Sequence, residues 1–228
     1  MLVDLGPIAQ LRAGRLGRRL TQLFVGLVLY GASLALMVRS MLGLAPWDVL
    51  HSGLIEHIDI TLGQMVVAMS LVVLVLWIPL REKPGLGTIA NAIVVGFAAD
   101  AVLALLDEPD AWWLRGLLLV AGVFLNGLAT ALYIGSQFGR GPRDGLMTGL
   151  ARRTGRSLAL VRTGIEITVV VIGLVLGGVA GAGTVLYALA IGPLAQLMLP
   201  GLIVQLPEMP TGTSPTTEIR SITRRAGK

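Results

Sequence analysis

Two twelve-residue segments of this chain are copies of each other: GLAPWDVLHSGL at Gly43–Leu54 and GRGPRDGLMTGL at Gly139–Leu150. Six of the twelve positions are identical, whereas unrelated segments of ordinary composition should match at roughly one position. The 96-residue offset between the copies continues on both sides without a gap. Aligned pairs outside the copies include Gly26 with Gly122, Gly31 with Gly127, Ser40 with Ser136 and Thr88 with Thr184. The chain is therefore an internal duplication.

The composition indicates that the duplicated unit is embedded in lipid. Of the 228 residues, 54% are hydrophobic and 14% are charged, whereas soluble domains carry about 25% charged residues. The 30 glycines fit the same environment, because small residues let helices approach closely where lipid surrounds them. The chain has no cysteine and only two histidines. We therefore expect neither a metal site nor a cofactor.

Six apolar stretches are long enough to cross the hydrocarbon layer, which takes about 20 helical residues. They are Leu20–Leu42, Leu62–Leu80, Gly87–Leu106, Gly116–Phe138, Ser157–Val179 and Thr184–Val204. The two copied segments lie between spans and are too short and too polar to cross. We expect each of them to form a short helix, near residues 46–57 and 142–153.

The basic residues orient the spans. If residues before the first span lie in the cytoplasm, fifteen of the 18 lysines and arginines lie inside, two outside and one within a span. This asymmetry follows the positive-inside rule and predicts that both termini are cytoplasmic. The net charge of +5 is then a consequence of topology, and no nucleic-acid partner is expected.

An odd number of spans in each copy makes the second copy start on the side where the first one ends. The predicted fold is therefore an all-α membrane protein with six transmembrane helices and two short helices in two inverted repeats. A basic amino-terminal segment covers residues 1–19, the repeats cover 20–115 and 116–206, and residues 207–228 are expected to form a disordered cytoplasmic tail.

Each copy contains a proline followed two residues later by aspartate, at Asp48 and Asp144. One interpretation is a helix start, because proline fits the first helical turn and a carboxylate there faces the positive end of the helix. The other is a pair of cation or proton sites facing a cavity. His51 lies on the same helical face as Asp48 and could form a proton-linked pair with it, but the second copy has Met147 there. We therefore favour an interfacial histidine without a special role.

Ionisable residues inside the spans are candidates for function, because a charge at the bilayer centre costs about 3 kcal/mol even on lenient scales. Arg162 and Glu166 are four residues apart and well placed to pair, and Asp100 lies deep in the third span. Polar span residues fit either a binding site or interhelical hydrogen bonds, with the latter favoured; they are Asn91, Asn126, Tyr187 and Gln196. No catalytic motif is present, so an enzyme is not expected.

The duplicated G-x-x-P-x-D pattern, at Gly43–Asp48 and Gly139–Asp144, resembles the YczE/YitT-like family of bacterial membrane proteins. The resemblance covers about Leu20 to Ile203 and implies a multi-span protein of the bacterial inner membrane. It carries over no catalytic residues. Arg143 stands where the first copy has Trp47, so the two short helices need not do the same job.

Inverted repeats are typical of transporters that bind their cargo near the bilayer midplane. The first hypothesis is thus a secondary transporter or permease for a small molecule or ion, with Asp48, Asp144, Asp100, Glu166 and Arg162 lining its cavity. The alternative is a non-transporting scaffold or regulatory partner that uses Arg140–Arg156 and the tail. A polar cavity at mid-depth favours transport, and a dry, packed centre favours the scaffold. Homo-oligomerisation stays open in both cases.

Overall fold

The computed structural model describes residues 7–206, and this part of the chain is all-helical, as predicted. Its helices are α1 (Pro7–Arg12), α2 (Leu16–Ser40), α3 (Pro46–Ile55), α4 (Leu62–Leu80), α5 (Leu86–Leu105), α6 (Trp112–Gly135), α7 (Pro142–Thr154), α8 (Leu158–Val175) and α9 (Ala182–Leu202). The predicted tail, residues 207–228, lies outside the described residues.

Six of these helices have the length and composition of membrane spans. They are 18 to 25 residues long, and their most apolar windows have mean hydropathies of 1.7 to 2.2. The bounds of α4 match the prediction, whereas α2 begins at Leu16 instead of Leu20. The extra turn contains Arg19, which is fully buried and donates to the carbonyl oxygens of Ser136 and Gln137. A basic residue can therefore belong to the helix because other backbone carbonyls satisfy it.

The two copied segments form the predicted short helices α3 and α7. Each begins at its proline, Pro46 or Pro142, with the aspartate in the first turn. At about 1.5 Å per residue, neither helix is long enough to cross a bilayer. Thus the helix-start interpretation is confirmed for both segments. The position of each aspartate in the first helical turn does not by itself specify which side chains the two carboxylates contact.

The two halves are interleaved. In the centre α2 packs against α6, with α5 on the outer side of α2 and α9 on the outer side of α6. Each short helix packs against a span of the other half: α3 lies on α8, and α7 lies on α4. Helices of one half therefore complete the core of the other.

Backbone contacts repeat this exchange at the 96-residue offset. The amide of Gly183 donates to the carbonyl of Leu42 at 2.8 Å, and the amide of Gly87 donates to the carbonyl of Phe138, also at 2.8 Å. Each bond joins the chain just before one short helix to the start of the last span of the other half. The two bonds hold the loops that lead into α3 and α7.

The backbone before α3 requires glycine. Gly43 has a φ of +117°, a conformation that favours glycine, and a Cβ added there would lie 2.6 Å from the amide nitrogen of Gly181. Gly139, at the matching position before α7, has a φ of +106°. Identity between the copies at this position thus has a backbone cause.

We expect Gly43→Ala to lower the free energy of unfolding by about 1–3 kcal/mol, through backbone strain and the collision with Gly181. Thermal unfolding in detergent micelles would measure the loss. The matched control is Gly164→Ala within α8, where an added Cβ meets nothing within 4 Å. That change should leave stability unchanged or raise it by up to about 1 kcal/mol. Equal behaviour of the two variants would contradict the assignment of strain to Gly43.

Candidate functional site

A polar cavity lies at the centre of the bundle, between the two short helices. Its volume is about 60 Å³, room for a few water molecules. Several lining residues lie near the middle of their helices, so the cavity is at mid-depth. Every helix from α2 to α9 contributes at least one lining residue. The polar and aromatic lining residues are Tyr30, Trp47, Ser70, Asn91, Tyr133, Arg143, Asp144, Arg162, Glu166 and Tyr187.

The amino-terminal ends of α3 and α7 meet at this cavity. Arg143, in the first turn of α7, lies 3.5 Å from Asp48, in the first turn of α3. Its guanidinium also lies over the Trp47 ring, 5.2 Å from the ring centre. Because unpaired amides give a helix start a partial positive charge, the two helices direct two positive ends at one small space. That arrangement attracts carboxylates, and both copies supply one.

Asp48 is buried and well partnered. Its carboxylate lies 3.0 Å from Nδ1 of His51 and 3.5 Å from the Arg143 guanidinium. The His51 side chain is itself fully buried, so the expectation of an interfacial histidine was wrong. The physical reason is that α3 is enclosed by α8 and α4 of the bundle. Asp48 thus has a permanent cation beside it and a hydrogen-bond donor behind it.

Asp144 has the same place in the second copy without the same partners. The positions that supply Arg143 and His51 to Asp48 correspond, 96 residues away, to Trp47 and Met147. Neither of those side chains carries a charge. Within the described residues Asp144 forms no ion pair, and it accepts a hydrogen bond from the Tyr133 hydroxyl. The duplication therefore leaves one carboxylate at the cavity without a direct ion-pair partner, although Arg143 and Arg162 line the same cavity.

The remaining charges form a pair on α8. Nε of Arg162 lies 2.8 Å from the Glu166 carboxylate, as their spacing predicted, and both side chains line the cavity. The carboxylates of the site are those of Asp48, Asp144 and Glu166, and its cations are those of Arg143 and Arg162. With His51 neutral, a formal count of three carboxylates and two arginines gives the site a net charge of −1, and Asp144 is the carboxylate without an ion pair.

The predicted site residues do not all reach the cavity. Asn91 lines it. Asp100 instead faces the start of α4, where it accepts from the Thr61 hydroxyl at 2.5 Å and from the Gly63 amide at 2.8 Å. It satisfies free amides at a helix start and is not part of the cavity.

Several residues that line the cavity were not predicted from the sequence. Tyr133 is one of them, and its repeat position is Met37, so the duplication gave no signal for it. Asn126 forms the expected interhelical bonds, donating to the Ser33 hydroxyl at 2.7 Å and accepting from the Tyr187 hydroxyl at 3.1 Å. Trp47 and Arg143 could have been identified as site residues from the sequence, because they are the residues that differ between the two Pro-x-Asp motifs.

The site offers a ligand hydrogen bonds and charge, and no metal cage. No group of three metal-ligating side chains occurs in the described part of the chain. The indole N–H of Trp47 is buried and has no acceptor within the described residues. Because a buried donor without a partner costs about 1–3 kcal/mol, a water or ligand atom in the cavity is its natural acceptor.

Six apolar helices around a central polar cavity define a multi-span integral membrane protein. The comparisons with known proteins agree with that class. The chain belongs to the family of unknown function DUF6198, whose family model matches residues 17–200. The predicted resemblance to YczE-like proteins is thereby confirmed.

Two relatives extend over most of the chain. A Haemophilus influenzae protein described as an uncharacterized protein is 38% identical over 82% of this chain and 86% of its own length. The uncharacterized membrane protein YczE of Bacillus subtilis is 31% identical over 80% of this chain and 86% of its own length. No solved structure matches.

Proposed function

We propose that this protein is a secondary transporter that exchanges protons for a small, positively charged molecule. The observation that supports this most directly is that Asp144, at a mid-depth cavity, has the Tyr133 hydroxyl as its partner and no ion pair within the described residues. A carboxylate with a hydroxyl partner and no cation can be neutralised by a proton or by a cationic cargo, but not by both at once. Competition for one carboxylate couples the two movements.

The arrangement of the halves supports the same proposal. We infer that they are inverted repeats, since each contributes three spans and their contacts recur with the halves exchanged. Short helices that end at a midplane cavity are typical of transporter binding sites. Here the positive amino-terminal ends hold the carboxylates of Asp48 and Asp144, and a carboxylate without an ion pair can in turn bind a cation. A scaffold has no requirement for a polar cavity at its centre.

A direct test uses purified protein in liposomes that contain a pH-sensitive dye. External guanidinium or tetramethylammonium, which stay charged and cross lipid poorly, should drive protons out of protein-containing vesicles and not out of protein-free ones. The proton movement should saturate with cation concentration. Proton movement equal to that of protein-free liposomes with every cation would favour the non-transporting scaffold.

The proposed orientation places both termini in the cytoplasm of a bacterium, in its inner membrane. It rests on the fifteen basic residues that the six spans put on that side. Cysteine labelling is simple to interpret here because the chain has no cysteine. In spheroplasts, an impermeant maleimide should label Asp110→Cys, in the loop before α6, and spare Lys83→Cys, in the loop before α5. Labelling in the opposite pattern would contradict the orientation.

A further inference from the structure

A groove separates α8 from α9 on the outer surface of the bundle. Its volume is about 440 Å³, and most of its lining is apolar. The lining side chains come from both helices and include Thr163 and Glu166 of α8, Thr184 and Ala188 of α9, and Pro46 of α3. Since α8 and α9 are both candidate membrane spans, the open side of this groove faces the acyl chains of the bilayer.

The corresponding place in the first half is closed. There α4 packs against α5, and a Cβ added at Gly63 would collide with the carbonyl oxygen of Gly96. Asp100 of α5 also binds the start of α4, through the Thr61 hydroxyl and the Gly63 amide. Close backbone approach and a charged hydrogen bond thus join this pair of spans.

The second half lacks both the close backbone approach and the charged hydrogen bond. Ala159 stands at the position of Gly63, and Gln196 stands at the position of Asp100. Gly192, the counterpart of Gly96, faces open space, with nothing within 4 Å of an added Cβ. As a result α8 and α9 make at most a marginal contact. The two halves differ here through substitutions at positions that the duplication makes directly comparable.

The groove leads to the candidate site. Pro46 and Glu166 line both the groove and the central cavity. The groove is lined mostly by apolar side chains, with the hydroxyls of Thr163 and Thr184 among them. It carries a charged side chain only where Glu166 joins it to the cavity. A molecule that is complementary to an apolar groove leading to a cavity with carboxylates has an apolar chain and one positively charged end.

We propose that the groove between α8 and α9 is a lateral entrance, and that the cargo is an amphiphilic organic monocation taken up from the bilayer. That the bound molecule is then transported rests on the proposed function. The binding of an alkyl cation in the groove stands on the geometry of the groove alone. The charged end lies at the cavity near Asp144 and Glu166, and the chain lies between the two helices.

The test is photolabelling of the purified protein in lipid nanodiscs, with decylguanidinium that carries a diazirine at the end of its chain. Labelled peptides should come from the groove faces of α8 and α9. Unlabelled decylguanidinium should compete with the probe, whereas decanoate, which has the same chain length and the opposite charge, should not.

Ala188→Trp, which fills the groove, should reduce labelling there by at least about tenfold, because an indole occupies the volume that the chain needs. Leu197→Trp is the matched control on the exposed outer face of α9, away from the groove, and should label like the unmodified protein.

Each outcome has a distinct meaning. Labelling spread over all lipid-facing helices, equal competition by decanoate, or no effect of Ala188→Trp would show contact with bulk lipid only and overturn the inference. Guanidinium-driven proton movement without groove labelling would leave the transport function intact and overturn the entrance. Groove labelling that Ala188→Trp removes, in a protein that moves no protons, would support the binding groove and overturn transport.

Discussion

Asp144→Asn should reduce cation-driven proton movement in proteoliposomes to the level of protein-free vesicles. An amide keeps the shape of the carboxylate and can still bond to Tyr133, but it neither binds a proton nor neutralises a cation. Because the other two carboxylates of the site are paired with Arg143 and Arg162, no neighbouring group replaces the lost charge. The same dye-loaded vesicles measure the effect.

Asp100→Asn is the matched control for this change. It removes a carboxylate of the same kind from a third-span position outside the cavity, where it bonds to Thr61 and Gly63. It should lower stability while leaving proton movement per folded molecule close to that of the unmodified protein. Asp144→Asn vesicles that still exchange protons for cations would remove Asp144 from the coupling and, with it, the main support for the proposed mechanism.

Arg143→Met should have the largest effect on stability, a loss of about 3 kcal/mol or more. The substitution keeps an apolar stem of similar length and leaves Asp48, whose side chain is only 3% exposed, as a buried carboxylate without its cation. Truncating one partner of a buried ion pair is costly for this reason, whereas removing both charges is often close to neutral. Unfolding in detergent micelles would measure the change.

Two further variants separate this explanation from loss of packing. In the Arg143→Met background, Asp48→Asn should restore most of the lost stability, because no charge then remains buried there. Arg152→Met breaks the Arg152–Glu82 pair, in which the arginine side chain is 62% exposed, and should cost at most about 1 kcal/mol. A double variant that is less stable than Arg143→Met would show that the arginine acts through something other than the charge of Asp48.

The spans and the short helices could be predicted from the sequence because each has a local cause. Span length follows from the thickness of the hydrocarbon layer, so the apolar run Leu62–Leu80 gave α4 its observed bounds. The duplication then located both short helices, since proline can begin a helix but disrupts its interior. Length, hydropathy and repetition were enough for this level of the fold.

The partners of the site residues depend on how the helices pack, and hydropathy does not specify that. Asp100 and Glu166 were both predicted cavity residues in the sequence, as carboxylates inside apolar spans, although only Glu166 has a basic residue four positions away. The rotation of α5 directs one to the start of α4, and the rotation of α8 directs the other to the cavity. Tyr133 could not be foreseen as the partner of Asp144, because the contact depends on how the loop between α6 and α7 directs the start of α7 toward Tyr133.

The exchange of short helices between the halves also governs the order in which a nascent chain can complete its structure. More than 100 residues separate the end of α3 from the start of α8, the span that covers it. While the ribosome is still producing the second half, α3 with Asp48 and His51 has α4 beside it but lacks α8, its larger contact, and Arg143, the cation next to Asp48. The amino-terminal half can therefore complete its packing only after α8, in the last third of the protein, has been synthesised.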